Sequence, residues 1–279
     1  MRLVHTITET REAVAEARRV SQGIGLVPTM GALHDGHLSL VRAARERDGF
    51  VAVSLFVNPT QFGPQEDLAK YPRTLEADAA LCEAAGVDLI FAPAAEEMYP
   101  EGFATTVHVA GVTERLEGEC RPGHFDGVAT VVSKLLGIAQ PDRAYFGRKD
   151  YQQLAVVRRM AADLNLPVEI VGCPTLREAD GLALSSRNRY LSAEERAAAP
   201  ALYRALQAGA EVLRGGGSGE QAAARAKETL ASTPLFRVQY LEAVDPETLA
   251  PDSRTGLPAV LVAAAMLGQT RLIDNLLVE

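Results

Sequence analysis

Of the five histidines in this 279-residue chain, His34 and His37 stand three apart in "TMGALHDGH", with Gly36 between them. Imidazoles at that spacing can hold a metal or donate to the oxygens of an anion; either can also be an ordinary loop histidine. No Cys, His or Asp cluster follows nearby to complete a metal shell. The flanks favour an anion. The apolar run "IGLV" (24–27) precedes the pair and an amphipathic pattern over about 37–47 follows it. A strand leading into a helix puts both rings at a helix mouth, where N–H groups lack intrahelical partners and the dipole is positive. Gly36 lets a phosphate come close to the backbone. Imidazole N–H groups can then stabilise the charge that builds on a phosphorus under attack.

Such a pair needs a rigid carrier. β-like runs at 24–27, 50–57, 88–92, 143–147 and 168–172 alternate with helical patterns at about 37–47, 74–86, 127–139 and 150–164. The runs are continuously apolar, which predicts burial on both faces. The alternation predicts an α/β fold, a Rossmann-like doubly wound parallel sheet with ligands beyond the carboxyl ends of its strands. "TTVHV" (105–109) is an extra strand candidate. The character then changes. "LSAEERAAAPALYRALQAGAEVLRGG" reads as one helix opened by Ser192, with Glu195 completing a capping box. A glycine loop (215–220), a helix to about Ala231 and three β-like runs follow. The expected division is 1–180 for the sheet domain and 181–279 for a smaller C-terminal α+β domain.

Composition narrows the function. The chain is 47% hydrophobic and 23% charged, ordinary for a globular protein, and its net charge of -8 argues against a nucleic-acid partner. "LPAVLVAAAMLG" is too short to span a bilayer, so no membrane partner is expected. "MRLVHTITETREAV" lacks the apolar core of a signal peptide. Cys82, Cys120 and Cys173 are odd in number and form no C-x-x-C pair, so a reducing, cytoplasmic setting is expected. "GRKDYQQ" (147–153) is no Walker A loop, "GIG" (23–25) precedes its strand, and "GGGSG" lies between helices. A nucleotide would have to be bound through "HDGH".

Five stretches carry a family resemblance: "PTMGALHDGHLSLV" (28–41), "SLFVNPTQFGPQEDLAKYPRT" (54–74), "RPGHFDGVATVV" (121–132), "YFGRKDYQQL" (145–154) and "READGLALSSRNRYLS" (177–192). In these the chain resembles the pantothenate synthetases (pantoate–β-alanine ligases), within the wider group of H-x-G-H nucleotidyltransferases. The last third matches only in general layout. The resemblance implies that ATP and (R)-pantoate form a pantoyl adenylate with loss of pyrophosphate, and that β-alanine then displaces AMP to give pantothenate.

It also implies roles. His34 and His37 hold ATP phosphates, and His37 is the expected general acid. Met30, Gly31, Ala32, Leu33, Asp35 and Gly36 complete that wall of the ATP site. A second ATP-contacting turn is Gly147, Arg148, Lys149 and Asp150, with Lys149 countering phosphate charge. The family usually has Glu or Gln where this chain has Arg148. A third is Leu184, Ser185, Ser186 and Arg187, which can close over ATP as part of a lid. His37, His34, Lys149 and Arg187 form the catalytic set. Leu176 replaces a usual Val that meets adenine through its backbone. Gln61 and Gln153 bind the substrates, with Asn58 and Phe62 shaping the pocket. Arg121 is a candidate for a substrate carboxylate, and His124 reads as structural. Mg²⁺ is expected with ATP, its protein ligands unreadable. A homodimer is expected, with the 50–57 run or its neighbours offered as interface.

Two other readings compete. One is a nucleotidyltransferase whose product keeps the nucleotide; "NPTQFG" and "DYQQL", with a glutamine each for a hydroxy acid, speak against it. The other is a non-catalytic ATP-binding module, which has no need of His34, His37, Lys149 and Arg187.

Overall fold

Strands that are apolar from end to end are stable only where both faces are covered, and a parallel sheet meets that demand. The computed structural model describes residues 1–20, 23–64, 66–252 and 257–279. Its contacts divide it into two units, Met1–Gly147 with Gln153–Cys173, and Arg148–Gln152 with Pro174–Glu279. The division thus follows Cys173 rather than residue 180, and Arg148–Gln152 joins the later unit. Gln65, inside the second matched stretch, lies outside the described residues.

Along the chain to Cys173 run β1 (Arg2–Val4), α1 (Ile7–Arg18), β2 (Ile24–Thr29), α2 (Asp35–Arg47), β3 (Phe50–Leu55), α3 (Leu75–Ala84) and β4 (Leu89–Phe91). The one-turn helices α4 (Ala95–Met98) and α5 (Glu117–Cys120) follow, then α6 (His124–Ala139), β5 (Arg143–Gly147), α7 (Tyr151–Asp163) and β6 (Glu169–Cys173). The strands make one parallel sheet in the order β1-β4-β3-β2-β5-β6. The order reverses between β2 and β5, so the ligand crevice of a doubly wound sheet falls beyond Thr29 and Gly147. Val27, Val51, Val53 and Ile90 are fully buried, and α2 lays Leu40, Val41 and Ala44 against them. Cys82 of α3 joins this core; burial, helped by Asp78, pushes its thiol up to about 11, so it behaves as a small hydrophobe.

The later unit contains α8 (Ala193–Ala198), α9 (Ala201–Arg214), α10 (Gly219–Ala231) and the antiparallel sheet β7 (Phe236–Val244), β8 (Ala259–Leu267), β9 (Thr270–Val278). Leu202, Leu206 and Leu213 of α9 and Leu230 of α10 pack on Leu261 and Leu267 of β8. Among the described residues no helix is long and apolar enough to cross a membrane.

Several expectations are corrected. The single helix from Ser192 is two, because Pro200 has no N–H to continue the ladder; the Ser192–Glu195 capping box is present. Residues 105–109 are not a strand: Val107 donates its N–H to Thr130 Oγ1 of α6 at 3.0 Å rather than to a neighbouring strand. β1 and α1 are additions. The 50–57 run offers no subunit interface through β3, whose Val51, Ala52, Val53 and Ser54 are buried within the chain itself.

"GIG" finds a structural use at the amino ends of the strands. An added Cβ on Gly25 would lie 2.7 Å from Asp48 Oδ2. Asp48, 4% exposed, accepts from Arg143 Nη1 at 2.7 Å and from Tyr145 OH at 2.5 Å. Removing that carboxylate leaves a guanidinium and a buried phenol without their acceptor. Asp48→Ala should lower the unfolding free energy in urea by about 3 kcal/mol.

Candidate active site

The turn from β2 to α2 must bend sharply while its N–H groups leave the sheet ladder. Thr29 Oγ1 accepts from Gly31 N at 3.1 Å and donates to Ser54 O at 2.9 Å. Ala32 has φ of 52°, a left-handed conformation that costs a residue with a Cβ. A buried carboxylate holds it there. Asp78 of α3 accepts from Ala32 N (2.9 Å, Oδ2), Leu33 N (2.8 Å, Oδ1) and Thr74 Oγ1 (3.2 Å). Gly31, Ala32 and Leu33 are buried as a result, Asp35 is exposed, and His34, Gly36 and His37 are half-buried.

His34 is the N-cap of α2 and His37 its third residue. His34 Nδ1 accepts from Gly36 N at 3.1 Å, and His37 Nδ1 accepts from His34 N at 3.3 Å. This is a capping box built from two imidazoles, their ring centroids 4.1 Å apart. An Nδ1 that accepts a hydrogen bond carries no proton, so in both neutral rings the proton resides on Nε2. The Gly36 N–H, expected to meet a phosphate, is engaged by the His34 ring; the Nε2–H groups are the donors suited to an oxyanion.

Gln61 lies in a one-turn 3-10 helix after β3, Pro59–Gln61, capped by Asn58. Its Nε2 donates to Met30 Sδ at 3.2 Å, which joins the predicted substrate glutamine to the predicted nucleotide turn. Its Oε1 accepts from Asn58 Nδ2 at 3.1 Å. The turn lies hard against α6: a Cβ on Gly127 would sit 2.4 Å from Thr60 O, so only glycine fits there. The backbone of Gln61 is held separately. Arg121 donates to Glu66 at 2.6 and 2.7 Å and from Nη1 to His124 Nε2 at 3.0 Å; His124 Nδ1–H then donates to Gln61 O at 2.8 Å. Burial raises the Glu66 carboxyl, but the Arg121 guanidinium outweighs it and leaves the group below its usual range. Arg121, a candidate for substrate carboxylate, is therefore engaged by Glu66 and His124. Gln153 stands half-buried in the first turn of α7.

In the later unit, the Arg148–Asp150 turn and the Ser186–Tyr190 turn both pack on β9. Asn275 Nδ2 donates to Arg148 O and Lys149 O, each at 2.8 Å. The neighbouring Asp274 is buried and accepts from Arg177 at 2.7 and 2.8 Å, and the Arg177 guanidinium lies 3.6 Å from the Tyr203 ring centre. Burial raises the Asp274 carboxyl above its ordinary range despite Arg177. Lys149 pairs with Asp150 at 3.5 Å. Leu176 O accepts from Leu184 N at 3.0 Å, and Ser185 Oγ accepts from Arg187 N at 3.3 Å. Ser185 thus caps its turn; Ser186 and Arg187 lie within it. Among the described residues, no group of three or more His, Cys, Asp or Glu is placed to hold a metal.

Asp78, Glu66, Asn275 and Asp274 were not singled out from the sequence. Asp78 alone left a signal there, as a carboxylate four residues before Cys82 on the apolar side of α3.

A doubly wound sheet with a histidine-capped helix at its switch point defines an α/β enzyme of the nucleotide-binding class. The chain belongs to the pantoate–β-alanine ligase family, whose model matches residues 2–277. A pantothenate synthetase from Moorella thermoacetica is 55% identical over 280 residues, covering all of this chain and 99% of that protein. The crystal structure of a pantothenate synthetase from Thermus thermophilus superposes with a TM-score of 0.94 at 58% identity, covering 99% of each chain. A pantoate–β-alanine ligase from Francisella tularensis, complexed with beta-gamma ATP and beta-alanine, has a TM-score of 0.80 at 34% identity, covering 99% of this chain and 97% of its own.

Two outcomes follow from this geometry. Asp78→Asn offers only one acceptor oxygen to the Ala32 and Leu33 amides, and should cost about 2 kcal/mol in a urea melt. His124 is lowered to about 4 by burial, with Arg121 adding to the shift. Its folded value is depressed, so between about pH 6.5 and 4 the unfolded chain binds a proton that the folded chain does not. Stability should fall by up to about 3 kcal/mol as pH drops through that window, and His124→Gln should flatten the slope.

Proposed function

We infer that this protein is an AMP-forming pantoate–β-alanine ligase. In the first step a carboxylate oxygen of pantoate attacks the α-phosphorus of ATP. The bond from that phosphorus to the bridging oxygen breaks, and pyrophosphate leaves with the electron pair. In the second, the β-alanine amine attacks the acyl carbon of pantoyl adenylate, AMP departs from it, and the nitrogen gives up a proton.

The observation that carries this reading is the hydrogen bond from Gln61 to Met30, which places a neutral amide beside the histidine-capped turn. A neutral amide there suits the hydroxyl and carboxylate oxygens of a hydroxy acid without adding charge beside the phosphates. His34 and His37 donate Nε2–H to phosphate oxygens as negative charge builds there, and both can do so while neutral. Met30 to Gly36 form the wall around the nucleotide. Gly147 to Asp150, Leu176, and Leu184 to Arg187 supply the remaining ATP contacts. Lys149 and Arg187 are the cations that meet the departing pyrophosphate. Gln61 and Gln153 orient pantoate and β-alanine.

ATP brings Mg²⁺ with it, chiefly on its own phosphates, and Asp150, which pairs with Lys149 at 3.5 Å, would cap the helix that follows or meet the ribose or the ion. Bound there, Mg²⁺ supplies charge neutralisation for the phosphates. Cys82, Cys120 and Cys173 are held as thiols rather than as disulfides, which supports a cytoplasmic setting, and a homodimer is the assembly the family resemblance implies.

Exchange of labelled pyrophosphate into ATP tests the first step. It should require pantoate, and AMP should appear when β-alanine is added. Exchange that ignores pantoate, or a product that retains the nucleotide, overturns the reading. His37→Ala should slow adenylate formation by roughly 10²–10³ with circular dichroism unchanged; an unchanged rate removes His37 from its role.

A further inference from the structure

A terminal amide presents either its donor or its acceptor end to a ligand, and only its neighbours decide which. The choice at Gln61 is made at Asn58, which is 1% exposed. Asn58 Nδ2 faces two acceptors, Gly127 O and Gln61 Oε1, both at 3.1 Å. Asn58 Oδ1 accepts from Tyr99 OH at 2.7 Å, from Thr60 Oγ1 at 2.9 Å and from Thr60 N at 3.4 Å. Rotated by half a turn, this amide would set its oxygen against the Gly127 carbonyl and its NH₂ against the Thr60 N–H. With Asn58 set this way, Gln61 must offer Oε1 to Asn58, and its Nε2 points to Met30.

Tyr99 OH makes the shortest of these bonds and is itself firmly placed. Its ring lies 5.1 Å from that of Phe103 and 6.2 Å from that of Phe56, and the Lys134 ammonium stands 4.7 Å from the Phe103 ring centre and 5.8 Å from that of Tyr99. Burial raises the phenol, so it stays protonated and can donate to Asn58 Oδ1.

We propose that Tyr99 is a positioning residue: its hydroxyl holds in place the Asn58 amide, whose polarity Gly127 O and the Thr60 N–H set, and so keeps the Gln61 N–H turned to the substrate, where this end of the pocket takes an oxygen acceptor of a hydroxy acid. The proposal rests on the reading of Gln61 as a pantoate contact. Gln61 then selects an acceptor rather than accommodating either pole.

Tyr99→Phe keeps the ring and its packing and deletes only the hydroxyl. It should raise KM for pantoate about tenfold, as the loss of one well-formed hydrogen bond does, with KM for ATP unchanged, the fold retained and Tm lowered by no more than a few degrees. In a Gln61→Ala background the same substitution should have no further effect on the residual pantoate-dependent rate. The Gln61 side-chain NH₂ resonance, identified by its loss in Gln61→Ala, should shift in Tyr99→Phe without any substrate present. An unmoved resonance, or an equal effect in both backgrounds, overturns the relay. A moved resonance with KM for pantoate unchanged overturns the role in substrate recognition. If wild-type exchange ignores pantoate, the functional reading fails instead, and that is seen before any variant is made.

Discussion

One buried carboxylate sets the mouth of the site. Asp78 takes the N–H groups of Ala32 and Leu33, two of the amides that β2 and α2 leave without ladder partners as the chain turns between them. Without an acceptor, two buried donors would each cost free energy comparable to a lost hydrogen bond. With it, Ala32 can hold a left-handed conformation. That conformation delivers His34 to the N-cap position, where its ring captures the Gly36 amide and fixes which nitrogen keeps the proton. The Nε2 donor face of the histidine pair is thus set from α3, through the backbone.

The same economy governs Gln61, which is held at two points by unrelated groups. Its side chain is aligned by Asn58, and its carbonyl is met by His124, whose tautomer is set in turn by Arg121. Arg121 is in register only because Glu66 holds it. Each link involves a group whose role as donor or acceptor has no alternative: a guanidinium, a carboxylate, a peptide carbonyl. Preorganisation of this kind lowers the ordering cost of binding and fixes polarity as well as position. The later unit repeats the device, with Asn275 bridging two carbonyls of the Arg148–Asp150 turn while Arg177 neutralises the adjacent Asp274.

Chain patterning was legible where local chemistry suffices. The inner strands of a parallel sheet are apolar, so β2 to β5 stand out by period alone, as do α2, α3, α6 and α7; β6 stood out too, although at the sheet edge it is only partly buried. β1 did not, being three residues long, and neither did α1, whose buried face is Thr10, Ala13, Val14 and Ala17 with little contrast to its exposed side. "TTVHV" alternates as a strand does, but an extended segment becomes a strand only when a neighbour completes the ladder. Pro200 was visible and decisive, yet the periodicity on either side of it concealed the break.

By itself, then, the sequence determined the α/β class, the place of the histidine pair between a strand and a helix, the capping box at Ser192, and the family resemblance. These depend on residue type and short-range order. The tertiary structure alone decided which nitrogen of each histidine carries the proton, that Arg121 is engaged by Glu66 and His124, and which pole of Gln61 meets Asn58. Those depend on partners far away in sequence: Asp78 for Ala32, Glu66 for Arg121, Tyr99 for Asn58. Hydrogen-bond polarity is a property of pairs, and a sequence names only one member at a time.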